Sequence, residues 1–193
     1  MLRRLYDETM ALAAHRHALL FLAAVAFVES SVVPIPPDVL LVPMVLAARV
    51  RAWRIAAVCT VASVAGGLAG YGIGYYLFES VGRALIEFYG YTEVFVSFRD
   101  TYNAWGLWIV FAAGLTPLPY KVFTIASGVT GLNVAVFVLG SVFSRGLRFF
   151  VEAGLLWYFG PPIRSFVERH LGKLAAAFLL LLVGGFVVAG MIG

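Results

Sequence analysis

Two long apolar stretches of this chain are each interrupted near the middle by prolines and a charged residue. The first break, at residues 34–38, lies within "VPIPPD", and the second, at residues 116–121, is "TPLPYK". Proline removes a backbone donor and ends a helix, and every apolar piece beside a break is shorter than the roughly 20 residues of a transmembrane helix. Each stretch therefore predicts two short helices joined at a proline break.

The composition indicates an integral membrane protein. Of the 193 residues, 62% are hydrophobic and 12% are charged, whereas a soluble domain is about half apolar and a quarter charged. No run of Lys and Arg is typical of a nucleic-acid site, so we predict no nucleic-acid partner. We predict a surface helix at 1–16, a membrane domain at 17–173 and a final transmembrane helix at 174–193.

The distribution of positive charge predicts which segments face the cytoplasm. Arg and Lys are concentrated in the N-terminal region, at 49–54 and at 163–173, whereas residues 79–103 hold four acids against two arginines. The first three segments are therefore predicted to be cytoplasmic, and 79–103 to be an external loop. A chain that leaves the cytoplasm near residue 17 and is back by 49 has not crossed the membrane. Each break is thus predicted to be the tip of a re-entrant hairpin, and the second hairpin enters from the outer face.

The two breaks share the pattern P-x-P-x-charge, and corresponding residues are 83 positions apart. They are Pro34, Pro36 and Asp38 in the first break and Pro117, Pro119 and Lys121 in the second. Because the two hairpins enter from opposite faces, this pattern indicates an inverted-topology repeat. The predicted fold class is all-α integral membrane, with two re-entrant helical hairpins in an inverted repeat plus transmembrane helices.

A ridge of small residues runs along the apolar segment 55–78. Its members, at four-residue spacing, are Ala62, Gly66, Gly70 and Gly74. Small residues at this spacing allow the backbone of another helix to approach closely. The ridge therefore predicts helix packing, and the partner helix can belong to the same chain or to a second copy.

Six ionisable residues lie within the apolar stretches, where each costs about 2.5–3.5 kcal/mol to insert at a helix centre. They are Glu29, Asp38, Lys121, Arg145, Arg148 and Glu152. One interpretation is a set of structural ion pairs, with Glu152 bound to Arg148 four residues before it. The other is a polar cavity in which Lys121, Arg145 and Arg148 bind a phosphate, while Glu29 and Asp38 exchange protons.

Three residues at the second break can donate hydrogen bonds to the same ligand: Tyr120, Thr116 and Thr124. Capping of broken helix ends is an equally good interpretation for the two threonines. No nucleophile–base set, metal-ligand spacing or phosphate-binding glycine loop is present in the sequence. We therefore expect no enzyme activity, no metal and no cofactor.

Four stretches of the chain resemble the DedA superfamily, also named the VTT-domain family. "FVESSVVPIPPDVLLVP" and "GGLAGYGIGYYLFESVGRAL" resemble its first half, and "GLTPLPYKVFTIASGVTGLN" and "SRGLRFFVEAGLLWYFGPPI" are similar to its YqaA-like branch. The resemblance covers about residues 20–170, and Glu29 and Asp38 match the acidic positions of the family's first hairpin. At the second hairpin the chain departs from the family: Gly114 replaces an arginine, and Lys121 approximates a second arginine, displaced by one residue.

The resemblance implies two re-entrant hairpins and lipid translocation, either of undecaprenyl phosphate or of phospholipid. We expect a proton-coupled transporter or flippase for an anionic lipid head group. We expect a multi-pass protein of the bacterial inner membrane with a cytoplasmic N-terminus. An uncoupled phospholipid scramblase and a non-transporting membrane assembly or quality-control factor stay open as alternatives, as does a homo-oligomer.

Overall fold

The computed structural model describes residues 17–32, 36–116, 119–160 and 162, and the described residues contain helices and no strand. The helices, in chain order, are α1 (Ala18–Ser31), α2 (Asp38–Ala47), α3 (Ala52–Leu77), α4 (Arg83–Phe88), α5 (Thr92–Ala104), α6 (Gly106–Leu115), α7 (Tyr120–Val129) and α8 (Val134–Gly160). A 3-10 helix, Arg49–Arg51, precedes α3, and a π-helix, Phe78–Gly82, joins α3 to α4. The predicted helices at 1–16 and 174–193 lie outside the described residues. The all-α prediction is confirmed for the rest.

Two helical runs are long and apolar enough to cross a membrane. They are the continuous run Arg49–Phe88, of 40 residues, and α8, of 27 residues. The apolar helices α1, α2 and α6 have 14, 10 and 10 residues, and at about 1.5 Å per residue none of them reaches across a bilayer. We call α1 and α2 the first helix pair, and α6 and α7 the second helix pair.

Both helix pairs are interrupted where the prolines predict a break. Pro37 precedes α2 and Pro119 precedes α7, positions where the missing N–H of proline costs no helical hydrogen bond. Thr116 ends α6 in an extended conformation, with φ −82° and ψ 163°, because the residue before a proline avoids the helical region. Its hydroxyl donates to the carbonyl of Ala112 at 2.8 Å. Of the predicted break residues, Pro34 and Pro117 lie outside the described residues.

The glycine ridge of α3 lies at the crossing of two other helices. A Cβ atom at Gly66 would clash with the carbonyl of Phe27 in α1, and one at Gly74 would clash with the carbonyl of Ile125 in α7. Gly70 lies between them, against both α1 and α7. The predicted packing role of the ridge is therefore confirmed, and its partners are helices of the same chain.

Helix α8 runs antiparallel beside α3. A Cβ atom at Gly154 would lie 3.4 Å from the Trp53 ring, and one at Gly146 would lie 3.7 Å from Thr60. Residue numbers therefore decrease along α8 in the direction in which they increase along α3. Two buried apolar clusters follow from this arrangement. The first joins α1 and α2 to the first half of α3 and the second half of α8. The second joins α6 and α7 to α5 and the first half of α8.

The prediction of a loop at residues 79–103 is wrong in its local structure. The π-helix and α4 extend α3 to Phe88, and α5 covers most of the remainder. A high content of charged residues indicates exposure to water, but charged side chains are exposed on a surface helix as well as on a loop. Here Glu79 pairs with Arg83 at 2.7 Å along the helix surface. One face of α5 is buried through Tyr102, whose hydroxyl lies 3.1 Å from the Ser127 hydroxyl. Burial raises the pKa of Tyr102, and this hydrogen bond opposes the shift.

Candidate functional site

Ionisable side chains from three helices meet between the first helix pair and α8. Arg145 contacts Glu29 of α1 through Nη2 and Oε2 at 2.7 Å, and Arg148 contacts Asp38 of α2 through Nη2 and Oδ2 at 2.6 Å. Since the two arginines are three residues apart, they share one face of α8. We call these four residues and Glu152 of the same helix the charged cluster.

The Arg145–Glu29 pair, here called the inner pair, is enclosed, and both of its residues form further hydrogen bonds. The Arg145 side chain is 1% exposed and that of Glu29 is 16% exposed. The Nε–H group of Arg145 donates to the Ser63 hydroxyl at 2.7 Å, and the Ser30 hydroxyl donates to Glu29 at 3.0 Å. The two serine hydroxyls lie 2.7 Å apart, which closes a ring of hydrogen bonds. The rings of Tyr120 and Phe149 flank the guanidinium, with centroids 4.9 and 4.8 Å away.

The Arg148–Asp38 pair, here called the outer pair, is more open and incompletely hydrogen-bonded. The Arg148 side chain is 27% exposed and that of Asp38 is 26% exposed. Asp38 Oδ2 accepts from Arg148, but Asp38 Oδ1 is buried and has no hydrogen-bond partner. Glu152 lies one turn beyond Arg148 on the same face of α8, and its carboxyl group acts electrostatically on that of Asp38.

The structure corrects the predicted partner of Glu152. Among the described residues, the carboxylate that binds Arg148 is Asp38 from another helix, and Glu152 forms no ion pair with Arg148. Their spacing along α8 permitted that pair, but α2 packs against α8 here and brings Asp38 to the guanidinium. The interpretation of structural ion pairs is therefore realised with cross-helix partners.

Lys121 joins the two proline breaks. Its ammonium donates to the carbonyl of Val32 at 3.0 Å, across from the start of α7 to the end of α1. The Thr124 hydroxyl reaches the carbonyl of Ser30 at 3.3 Å in the same direction. Within the described part of the chain Lys121 binds no carboxylate. Among the residues that the structure describes, the partner of its charge is thus a backbone oxygen.

The other predicted site residues contribute to packing rather than to an open site. Tyr120 is buried, and its hydroxyl donates to Ser141. The hydroxyl of Thr116 caps the last turn of α6, as the capping interpretation predicts. Pro36 lies two residues before α2, and Pro119 lies directly before α7. Sequence reasoning missed Ser30 and Ser63, although small polar residues inside an apolar stretch are a signal for buried hydrogen bonds.

Gly114 lies at a close contact between α6 and α8. A Cβ atom at this position would clash with the hydroxyl of Ser144 and would lie 3.4 Å from Cδ of Arg145. A side chain of any size at position 114 is therefore excluded by the contact between α6 and α8.

A pocket of about 370 Å³ lies away from the charged cluster, between the π-helix, α5 and the end of α7. Its charged lining residues form exposed pairs, Arg83 with Glu79 and Arg99 with Asp100. None of the predicted site residues lines this pocket. In the described residues, no group of three or more His, Cys, Asp or Glu side chains is arranged to hold a metal ion.

The chain is similar to proteins of two bacteria. It is 34% identical over 179 residues to an uncharacterized protein of Haemophilus influenzae, and the match covers 93% of each chain. It is 34% identical over 167 residues to an uncharacterized protein of Histophilus somni, covering 86% of this chain and 87% of that one. No family model matches the chain, and no solved structure matches it.

Proposed function

The chain belongs to one family with these uncharacterized proteins of Haemophilus influenzae and Histophilus somni, and we propose that it moves an anionic lipid head group across the bacterial inner membrane. We propose further that this family is a branch of the DedA superfamily. In this proposal the two helix pairs are re-entrant hairpins of an inverted repeat. The lipid is undecaprenyl phosphate or an anionic phospholipid.

The outer surface of the bundle supports a place in the membrane. Large apolar side chains of α8, among them Phe143 and Val151, are exposed along its length, as expected of a helix that faces lipid. At the end of α3 that carries the arginines of 49–54, Trp53 stacks on Phe150. Aromatic side chains next to arginines are typical of the cytoplasmic membrane interface. The proposal therefore sets the N-terminus in the cytoplasm and the chain across the membrane several times.

One observation carries the transport proposal: Lys121, at the contact between the two breaks, has a backbone carbonyl as its partner and no carboxylate among the described residues. A phosphate is a stronger partner for an ammonium than a neutral carbonyl, since charge-assisted hydrogen bonds are roughly twice as strong. Arg148, partly exposed in the outer pair, is the second cation that a head group can reach. Arg145 is enclosed in the inner pair and holds the bundle together.

Competition for Arg148 couples the lipid to protons in this mechanism. A phosphate that binds Arg148 displaces Asp38, and the released carboxylate binds a proton because its counter-charge has gone. Loss of that proton restores the affinity of Asp38 for Arg148 and expels the phosphate. The acyl or polyprenyl tail stays in the bilayer throughout, so only a narrow polar groove is required.

The test is head-group translocation by the purified protein in liposomes, with a fluorescent anionic phospholipid and a zwitterionic one compared with and without a proton gradient. We expect gradient-dependent movement of the anionic lipid. Lys121→Met and Arg148→Ala should each reduce it by about tenfold or more, the loss expected from one charge-assisted hydrogen bond of ~1.5–3 kcal/mol. Arg99→Gln, which removes an exposed arginine of α5, is the matched control and should retain the wild-type rate.

Other outcomes separate the remaining functions. Lipid movement that depends neither on the proton gradient nor on the charge of the head group supports an uncoupled scramblase. No movement of either lipid, together with stable co-purification of another membrane protein, supports an assembly or quality-control factor. Full activity of both Arg148→Ala and Asp38→Asn would show that the proposed site is wrong.

A further inference from the structure

The charged cluster contains more carboxylates than cations. Glu29, Asp38 and Glu152 face two guanidinium groups, those of Arg145 and Arg148. Lys121, the third cation of the apolar stretches, binds the Val32 carbonyl instead. With every carboxylate ionised, the cluster would carry one uncompensated negative charge in a largely apolar bundle, which is an unfavourable state.

The elements packed around Glu152 determine whether another positive charge can compensate the third carboxylate. The groups that act electrostatically on Glu152 are Asp38 from α2 and the two arginines of α8. From α3, the charged cluster is faced by the thiol of Cys59, which is fully buried and carries no positive charge. From α1, the charged side chain is Glu29, which is itself an acid. No further cation among the described residues is thus available to neutralise the third carboxylate.

The hydrogen bonding of Asp38 also indicates that one carboxylate of the charged cluster lacks a partner. Its Oδ1 atom is buried without a donor, and Glu152 is the acid one turn beyond Arg148, the arginine of α8 that Asp38 binds. Two ionised carboxylates cannot donate to each other, and their negative charges repel. A single proton between them supplies the missing donor and brings the cluster to neutrality.

We infer that Asp38 and Glu152 share one proton and form the proton-binding site of the protein. The inner pair has no buried side-chain oxygen or nitrogen without a partner, and Glu29 Oε2 accepts from both Arg145 and Ser30. Glu152 is thereby a proton carrier rather than a partner of Arg148, and Glu29 is a structural acid. The role of this proton in transport rests on the proposed function, whereas the presence of the proton on Asp38 and Glu152 does not depend on it.

The experiment is infrared spectroscopy of the purified protein in lipid, which resolves the carbonyl stretch of a protonated carboxylic acid and its shift in deuterated water. At neutral pH we expect the wild-type protein to show this band, and Glu152→Gln and Asp38→Asn each to lose it. The amide of Glu152→Gln donates to Asp38 Oδ1 without a proton, so this variant should stay folded. Glu93→Gln, at an exposed acid of α5, is the matched control and should keep the band.

The outcomes are distinct for the proton site and for transport. A wild-type protein without the band overturns the inference directly and requires no variant. Retention of the band in Glu152→Gln, or its loss in Glu29→Gln alone, assigns the proton to another acid and also overturns it. If the band follows Asp38 and Glu152 but no lipid moves in liposomes, the proton site stands and the transport proposal fails.

Discussion

Arg145 and Arg148 lie one turn apart on α8, and each binds a carboxylate of the first helix pair, but their surroundings differ. The inner pair is enclosed by two aromatic rings and two serine hydroxyls. The outer pair is about a quarter exposed and leaves one carboxylate oxygen without a donor. The same chemical pair therefore has two roles: the inner one fixes α1 to α8, whereas the outer one can exchange its partner.

The physical basis of this difference is desolvation. An ion pair that is fully enclosed holds its partners firmly, because separating them leaves a buried charge without compensation, at a cost of about 3–5 kcal/mol. Separating a partly exposed pair costs much less free energy, since water and neighbouring groups replace the lost partner. Exchange of Arg148 between Asp38 and a phosphate is thus energetically accessible, and exchange of Arg145 is not.

The largest expected effect distinguishes the two pairs by stability. Arg145→Met leaves Glu29 buried and unpaired, so we expect the free energy of unfolding to fall by about 3–5 kcal/mol. Arg148→Met leaves Asp38 partly exposed and next to Glu152, and we expect a fall of about 1 kcal/mol. Equilibrium unfolding in detergent micelles, followed by circular dichroism, measures both. Equal losses in the two variants would remove the distinction between the pairs.

A double variant tests whether the inner loss comes from the unpaired charge. Glu29→Gln combined with Arg145→Met removes both charges, and the glutamine amide can still bond Ser30. The double variant should therefore be more stable than Arg145→Met alone, because no buried charge is left without a partner. If the losses of stability in the two single variants simply add in the double variant, Glu29 and Arg145 do not act as a pair.

The sequence predicted which residues are charged and buried, but not which of them pair. Prolines predicted the breaks, and the spacing of Gly66, Gly70 and Gly74 predicted a close helix crossing; the structure confirms both. The partner of Arg148 depends on how α2 packs against α8. Helical spacing reports only neighbours on one helix, and it therefore favoured Glu152. The re-entrant orientation of the helix pairs stays a prediction.

The hydrogen bond between Ser30 and Ser63 also could not be predicted from spacing along the sequence. Ser30 and Ser63 are 33 residues apart, and nothing in their spacing connects them to each other or to Arg145. Their contact exists because α1 crosses α3 at the glycine ridge, which brings the two backbones close together. Charge patterning likewise indicated that residues 79–103 are exposed, but it could not distinguish a solvated helix from a loop. Positions along one element are predictable here, whereas contacts between elements depend on packing.

The second expected effect tests whether the α1–α3 crossing positions the inner pair. Gly66→Ala places a methyl group against the carbonyl of Phe27, two residues before Glu29, and should cost about 1–3 kcal/mol because backbone atoms have to move. Gly72 is the matched control on the same helix, since a Cβ atom there meets nothing within 4 Å. Gly72→Ala should be neutral or slightly stabilising. Thermal unfolding of the two variants in the same detergent measures the difference.

The two glycine variants also separate the pairs. If α1 is displaced, the Arg145–Glu29 contact weakens while the Arg148–Asp38 contact, which α2 provides, is kept. Gly66→Ala should therefore lower stability and leave the infrared band of the shared proton in place. Loss of that band in Gly66→Ala would show that the two pairs respond together.

The smallest expected effect concerns the hydroxyl that completes the inner pair. Ser63→Ala removes the acceptor of the Arg145 Nε–H group and the link to Ser30, but Arg145 keeps Glu29 and both aromatic rings. We expect a loss of about 1–2 kcal/mol, in the range for a buried donor without a partner. Ser80→Ala, at an exposed serine of the π-helix, is the control and should change stability by less than about 0.5 kcal/mol. Because the inner pair only supports the fold, Ser63→Ala should leave the dependence of transport on the proton gradient unchanged. An altered dependence would place the inner pair in the exchange pathway, and the division of roles between Arg145 and Arg148 would fail.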